Sequence, residues 1–93
     1  MATAAGKNCD ITLQSLFDTA SQLINDQCEQ AQESSKKHNY IAARTHVDWA
    51  HGTYRLLVRM DRAGVLGLGD LFEKIQKLRD AIFDAEMERL NRE

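Results

Sequence analysis

A metal site in this sequence would draw on Cys28, His38, His46 and His51. Zinc takes thiolate and imidazole ligands, and two ligands on one helix share a face when they stand about four residues apart. His46 and His51 are separated by five positions, which turns them about 140° from each other. His38 falls near a turn, and Cys28 lies well before it. The four meet only in an unusual fold, so the expectation is surface histidines and no metal. A nucleophilic thiol needs a neighbouring base and an electropositive pocket. Cys28 sits on the apolar stripe of a helix, the usual place of a structural thiol, and Cys9 lies in or near a tail. Gly64, Gly67 and Gly69 form no phosphate loop, because no Gly-Lys-Ser/Thr follows them. Asp48 and Asp61 have no assignable carboxylate partner. No Ser/His/Asp set has a strand–turn–helix context. These residues predict a protein that is not an enzyme and carries no cofactor.

Anion recognition is the second chemistry to weigh. Arg44, His51, Arg55, Arg59 and Arg62 line one ridge of a single helix, interrupted by Asp48. Arginine forks suit carboxylate and phosphate alike. The flanking helices are acidic, with Asp18, Asp26, Glu29 and Glu33 before the ridge and Asp70, Glu73, Asp80, Asp84, Glu86 and Glu88 after it. The simplest expectation is therefore pairing inside the fold. The alternative is an anionic partner: an acidic protein face, a nucleotide or a nucleic acid. A formal charge of −2 argues against a general nucleic-acid coat or a polybasic membrane anchor.

The elements that must position these residues are helices. The chain has 93 residues, 43% of them apolar, and no proline. That length is one domain, that apolar content folds, and long helices exclude proline because it lacks an N–H and clashes one turn back. Two cysteines make no disulfide framework, so both read as reduced thiols of a soluble cytoplasmic protein. No stretch approaches the about 18 apolar residues of a membrane span. Residues 1–9 read as a flexible tail without the build of a signal peptide, and residues 10–93 as a single helical domain.

The first helix is expected over 10–35, with Leu13, Leu16, Phe17, Ala20, Leu23, Ile24, Cys28 and Ala31 on one stripe. Asp10 or Thr12 could cap it. The polar run Ser34–Asn39 predicts a short turn, with Asn39 as the next cap. The second helix is expected over 40–63, stopped by Gly64. Asp70, with Glu73 three residues on, resembles a capping box that opens a third helix reaching residue 90. The fold class is all-α: an antiparallel three-helix bundle, or an extended helical hairpin plus a third helix. Its expected core is Leu16, Leu23, Val47, Tyr54, Ile75 and Ile82.

The second helix is apolar on two sides. Tyr40, Ala43, Val47, Ala50, Tyr54, Leu57 and Val58 make a core face. Ala42, Thr45, Trp49, Gly52, Leu56 and Met60 recur at threes and fours on roughly the opposite side. A helix apolar on two faces is usually buried on both. Val65, Leu66 and Leu68 of the following loop could fold back over Met60 and Leu56. Otherwise the stripe around Trp49 is a partner surface, since Trp is enriched at interface hot spots and the small neighbours admit a second helix.

Locally, Asn39-Tyr40 followed by Ala43 resembles the hairpin turn of tetratricopeptide-type units, over about 30 residues. The Trp-Leu-Gly signature, the closing proline and a second repeat are absent, so the likeness stops at the turn. The functional expectation is a non-enzymatic protein-interaction module: a homo-oligomer (a dimer being the commonest form), an adaptor, or a small inhibitor or chaperone-like protein. It would act through the Trp49 stripe, with phosphate binding by the arginine ridge as the alternative.

Overall fold

Three helices follow from two N-terminal caps and two turns. A computed structural model of the chain describes residues 12–92, the side chain of Leu13 excepted; the expected tail and the candidate cap Asp10 lie outside them. Thr12 caps helix α1, Leu13–Lys36, its hydroxyl accepting the Ser15 N–H at 3.0 Å. This satisfies one of the orphan donors of the first turn. Lys37 closes the helix, donating its N–H to the carbonyls of Glu33 and Ser34. His38 then takes a left-handed φ of 62°, a position more often held by Gly or Asn. Its Nδ1 lies 3.1 Å from the Tyr40 hydroxyl, which ties the turn from outside the backbone.

Asn39 caps helix α2, Tyr40–Met60, accepting the Ala42 N–H at 3.2 Å. The helix ends before Gly64, earlier than its periodicity implies, because Asp61 takes over. The backbone N–H of Asp61 completes the last turn to Leu57, and its carboxylate oxygens accept the N–H groups of Val65 and Leu66, both at 3.0 Å. Gly64 and Gly67 adopt the left-handed φ values of 66° and 62° that fold this loop back on the hairpin.

Helix α3, Gly69–Arg92, starts one residue before Asp70. Asp70 therefore stands inside the first turn, where a carboxylate complements the positive helix end. The expected capping box does not form among the described residues.

Side-chain pairings define the topology. His46 Nδ1 meets Gln27 Oε1 at 2.8 Å, and Leu16 faces Met60 across one groove, so α1 and α2 are antiparallel. Tyr54 packs on Phe72 with ring centroids 5.5 Å apart, and Arg44 pairs with Glu86, so α2 and α3 are antiparallel too. The fold is all-α with a helical-bundle arrangement. α2 packs most extensively on α1, less on α3, and α1 and α3 touch least. α2 is thus the middle element.

The core is one cluster drawn from all three helices and the loop: Ile24, Cys28 and Ala31 from α1, Tyr40, Ala43, Val47, Ala50 and Leu57 from α2, Leu68 from the loop, and Ile75, Leu78 and Ile82 from α3. Leu23, expected in the core, is instead 47% exposed, while its neighbour Ile24 is fully buried. The reason is rotational. On α1 the core follows Phe17, Ala20, Ile24, Cys28 and Ala31, and Leu23 stands about 100° round from Ile24. Leu16 and Tyr54 are half-buried at the rim, and Val58, expected on the core face of α2, is exposed because it stands about 100° round from the buried Leu57, whereas Val47, Ile75 and Ile82 are buried as expected.

Candidate functional site

The stripe opposite the core of α2 is open. Trp49 is 57% exposed, Leu56 58% and Met60 40%. Thr45 and Gly52 are also exposed, and Ala42 is half-buried. The space outside Gly52 is empty for 4 Å around where a Cβ would stand. The loop does fold back, but it lands elsewhere. Leu68 is buried in the core and Leu66 packs against it, leaving Leu56 and Met60 uncovered.

Local chemistry makes this stripe more apolar than its composition suggests. The hydroxyls of Thr45 and Thr53 donate to the carbonyls of Ile41 and Trp49 one turn back, at 2.9 and 3.1 Å. Their hydrogen-bonding needs are met within the helix. Trp49 and His46 make a T-shaped ring contact, with centroids 5.3 Å apart and planes at 84°. His46 is itself held by Gln27, so the indole is braced by α1 without being buried by it.

α1 contributes Leu16 and Leu23, which sequence periodicity assigned to the core, with Ala20 of the same stripe and Thr19 beside it. Leu16, Thr19, Ala20 and Leu23 face Thr53, Leu56, Leu57 and Met60 across a groove of about 230 Å³. Ligand pockets typically span about 300–1,000 Å³, so this groove suits one or two inserted side chains. The signal for it was present in the sequence: Leu16 and Leu23 share a flank of α1 distinct from that of Ile24 and Cys28. Choosing the flank required knowing where α2 lies.

The arginine ridge divides. Arg44 pairs with Glu86 of α3, and Asp48 accepts from Arg79 of α3 at 3.2 Å. Arg44, Asp48 and Arg79, with Val47, Ile82 and Phe83, line a second groove of about 270 Å³, on the other side of α2. His51 stacks on Tyr54, with ring planes 14° apart. Arg55, Arg59 and Arg62 are exposed and make no ion pair among the described residues.

The remaining reactive groups are dispersed. Cys28 is a free, buried thiol whose pKa is pushed up by burial, with Lys74 pulling weakly the other way. This is the reverse of an activated nucleophile. It lies beneath a trough between α1 and α3 edged by Glu29, Glu73, Lys74 and Lys77. His38, His46 and His51 each have a separate partner, and among the described residues no three His, Cys, Asp or Glu side chains gather into a metal-holding group. No described helix is long and apolar enough to cross a membrane.

Fold and face together define an all-α helical bundle with an uncovered apolar surface across α1 and α2. Comparison with protein-family models, curated proteins and solved structures finds no match to this chain.

Proposed function

We propose that this chain is a non-enzymatic protein-interaction module that works through the α1/α2 face. One observation carries the reading. Leu23, Trp49, Leu56 and Met60 stand between 40% and 58% exposed on adjacent helices, around a preformed apolar groove. Contiguous exposed apolar surface of this kind marks interaction sites, and a half-exposed Trp beside a groove is the usual anatomy of a hot spot. The protein acts by occupying or presenting that surface, as a homo-oligomer, an adaptor, or a small inhibitor or chaperone-like protein. A reduced, buried Cys28 suits work in the cytoplasm.

Site-specific photo-cross-linking in the native cell tests this. A photoreactive residue at Leu56 should yield discrete protein adducts, and one at Lys77 in the α1/α3 trough should not. Adducts at Lys77 alone would overturn the assignment of the face.

A second reading rests on Arg55, Arg59 and Arg62, whose charges are unmatched among the described residues. These could hold nucleotide or nucleic-acid phosphates. Titration with short DNA, RNA and nucleotides at low and moderate salt tests it, because each phosphate contact steepens the salt dependence.

A further inference from the structure

Resting on the interaction-module reading, we infer that the α1/α2 face is occupied by a second copy of this chain, packed antiparallel about a two-fold axis between Gly52 and Thr53. Each Trp49 then enters the groove of the other copy.

The pattern along α2 is complementary to its own reverse. In an antiparallel pair centred between residues 52 and 53, Trp49 stands opposite Leu56 of the second copy, and Thr45 opposite Met60 of the second copy. The largest side chain of the stripe thus meets the groove. Leu16 and Leu23 of α1 line the groove together with Thr53, Leu56 and Met60 of α2, so along α2 Leu56 stands between the two other groove residues of the stripe side. An indole arriving at the level of Leu56 therefore lands near the middle of the opening. The pairing centre is Gly52, where nothing stands within 4 Å of a Cβ position, so the two backbones approach most closely there. Thr45 and Thr53, whose hydroxyls are bonded within their own helix, bring no unpaired donor into the contact.

Charge points to the same register. Asp48 and Arg59 lie on one flank of the stripe, about 90° from Trp49 on the side away from α1. Antiparallel two-fold packing sets like flank against like flank. Asp48 then falls about 3 Å, along the helix axis, from Arg59 of the second copy and equally from Arg55 of the second copy. Both arginines are unpaired among the described residues. Arg79 bonds only Oδ1 of Asp48, whose side chain is 71% exposed, which leaves Oδ2 as an acceptor for them. Symmetry makes each pairing twice. A parallel pair would set this flank against the α1 side and match none of these charges.

Sedimentation of the full chain over a concentration series tests the proposal. The wild type should dimerise, and Trp49→Ala should weaken dimerisation about thirtyfold or more, the effect of losing an aromatic hot spot. Asp48→Lys alone and Arg59→Glu alone should each weaken it, and an equimolar mixture of the two variants should restore a heterodimer. In a Cys9→Ser background, Gly52→Cys should form a disulfide-linked dimer under mild oxidation, while Asp80→Cys should not. A wild type that stays monomeric at high micromolar concentration overturns the second-copy inference. A dimer whose charge-reversed mixture is not restored overturns it as well. Either result leaves the module reading standing, provided that Trp49→Ala keeps the wild-type stability. A monomeric Trp49→Ala chain that unfolds readily, with Leu56→Ala behaving the same way, makes the stripe part of the core and removes both readings.

Discussion

Asp61 and Leu66 are joined across the end of α2: Oδ2 of the carboxylate accepts the Leu66 N–H at 3.0 Å, while Oδ1 accepts that of Val65. Asp61 is 8% exposed, the one buried charged residue of the described chain. A carboxylate at a helix C-terminus opposes the helix dipole, so its place depends on these two donors. Through them it pins the loop that delivers Leu68 to the core and starts α3. Asp61→Ala should leave both N–H groups unpaired and cost about 1–3 kcal/mol. Asp61→Asn, which keeps one acceptor oxygen, should cost less. Urea unfolding of the three chains checks the order.

Neighbouring residues on α1 should respond very differently to truncation. Ile24 is fully buried and Leu23 is half exposed. Ile24→Ala should destabilise by about 2–5 kcal/mol. Leu23→Ala should cost less than about 1 kcal/mol in dilute monomeric protein, as expected for a side chain that keeps much of its contact with water. Equal losses in thermal unfolding would mean that Leu23 is covered within the same chain.

Trp49 is the sole tryptophan, so its fluorescence reports directly on the face. At low micromolar concentration it should emit at the long wavelengths of a hydrated indole and be quenched readily by iodide. Raising the concentration or adding a partner should shift emission to the blue and protect it. Early blue emission that is independent of concentration would place the indole in a dry site of the isolated chain.

Cys28 should resist modification while the chain is folded. Burial raises its pKa, so the neutral thiol is favoured and the reactive thiolate is scarce. In a Cys9→Ser background, labelling by a thiol reagent should be slow in buffer and fast in urea. The linkage has a definite sign. The folded-state pKa lies above the unfolded value, so the associated stability is fully present below the ordinary thiol pKa of about 8.5. It is lost as pH rises through the folded value. Cys28→Ser or Cys28→Ala should flatten that alkaline loss in denaturation curves.

The Arg44–Glu86 pair lies at the surface and should contribute little. A double-mutant cycle between Arg44→Ala and Glu86→Ala should give a coupling of about 0–1 kcal/mol, falling with salt. A much larger coupling would mean that the pair sets the angle of α3.

Local chemistry in the sequence was enough to determine the helices and the first turn. Thr12, one of the two candidate first caps, and Asn39 both cap their helices, and the threes and fours of Val47, Ile75 and Ile82 end in the core. These features depend on a residue and its neighbours within one or two turns, so they are readable in order along the chain. The sequence also carried the second apolar side of α2, and the structure leaves those residues open. Only the tertiary structure decided what lies beside them. Leu23 passes from core to rim because α2 crosses α1 on one flank and α3 does not close the other. Asp61 cuts α2 short because its carboxylate reaches loop N–H groups four and five residues on, against the helical period. The arginine ridge splits into paired and unpaired members because Glu86 lies 42 residues from Arg44. Each of these outcomes turns on the direction in which one helix faces another, and periodicity gives a helix its stripes without giving their azimuth in the bundle.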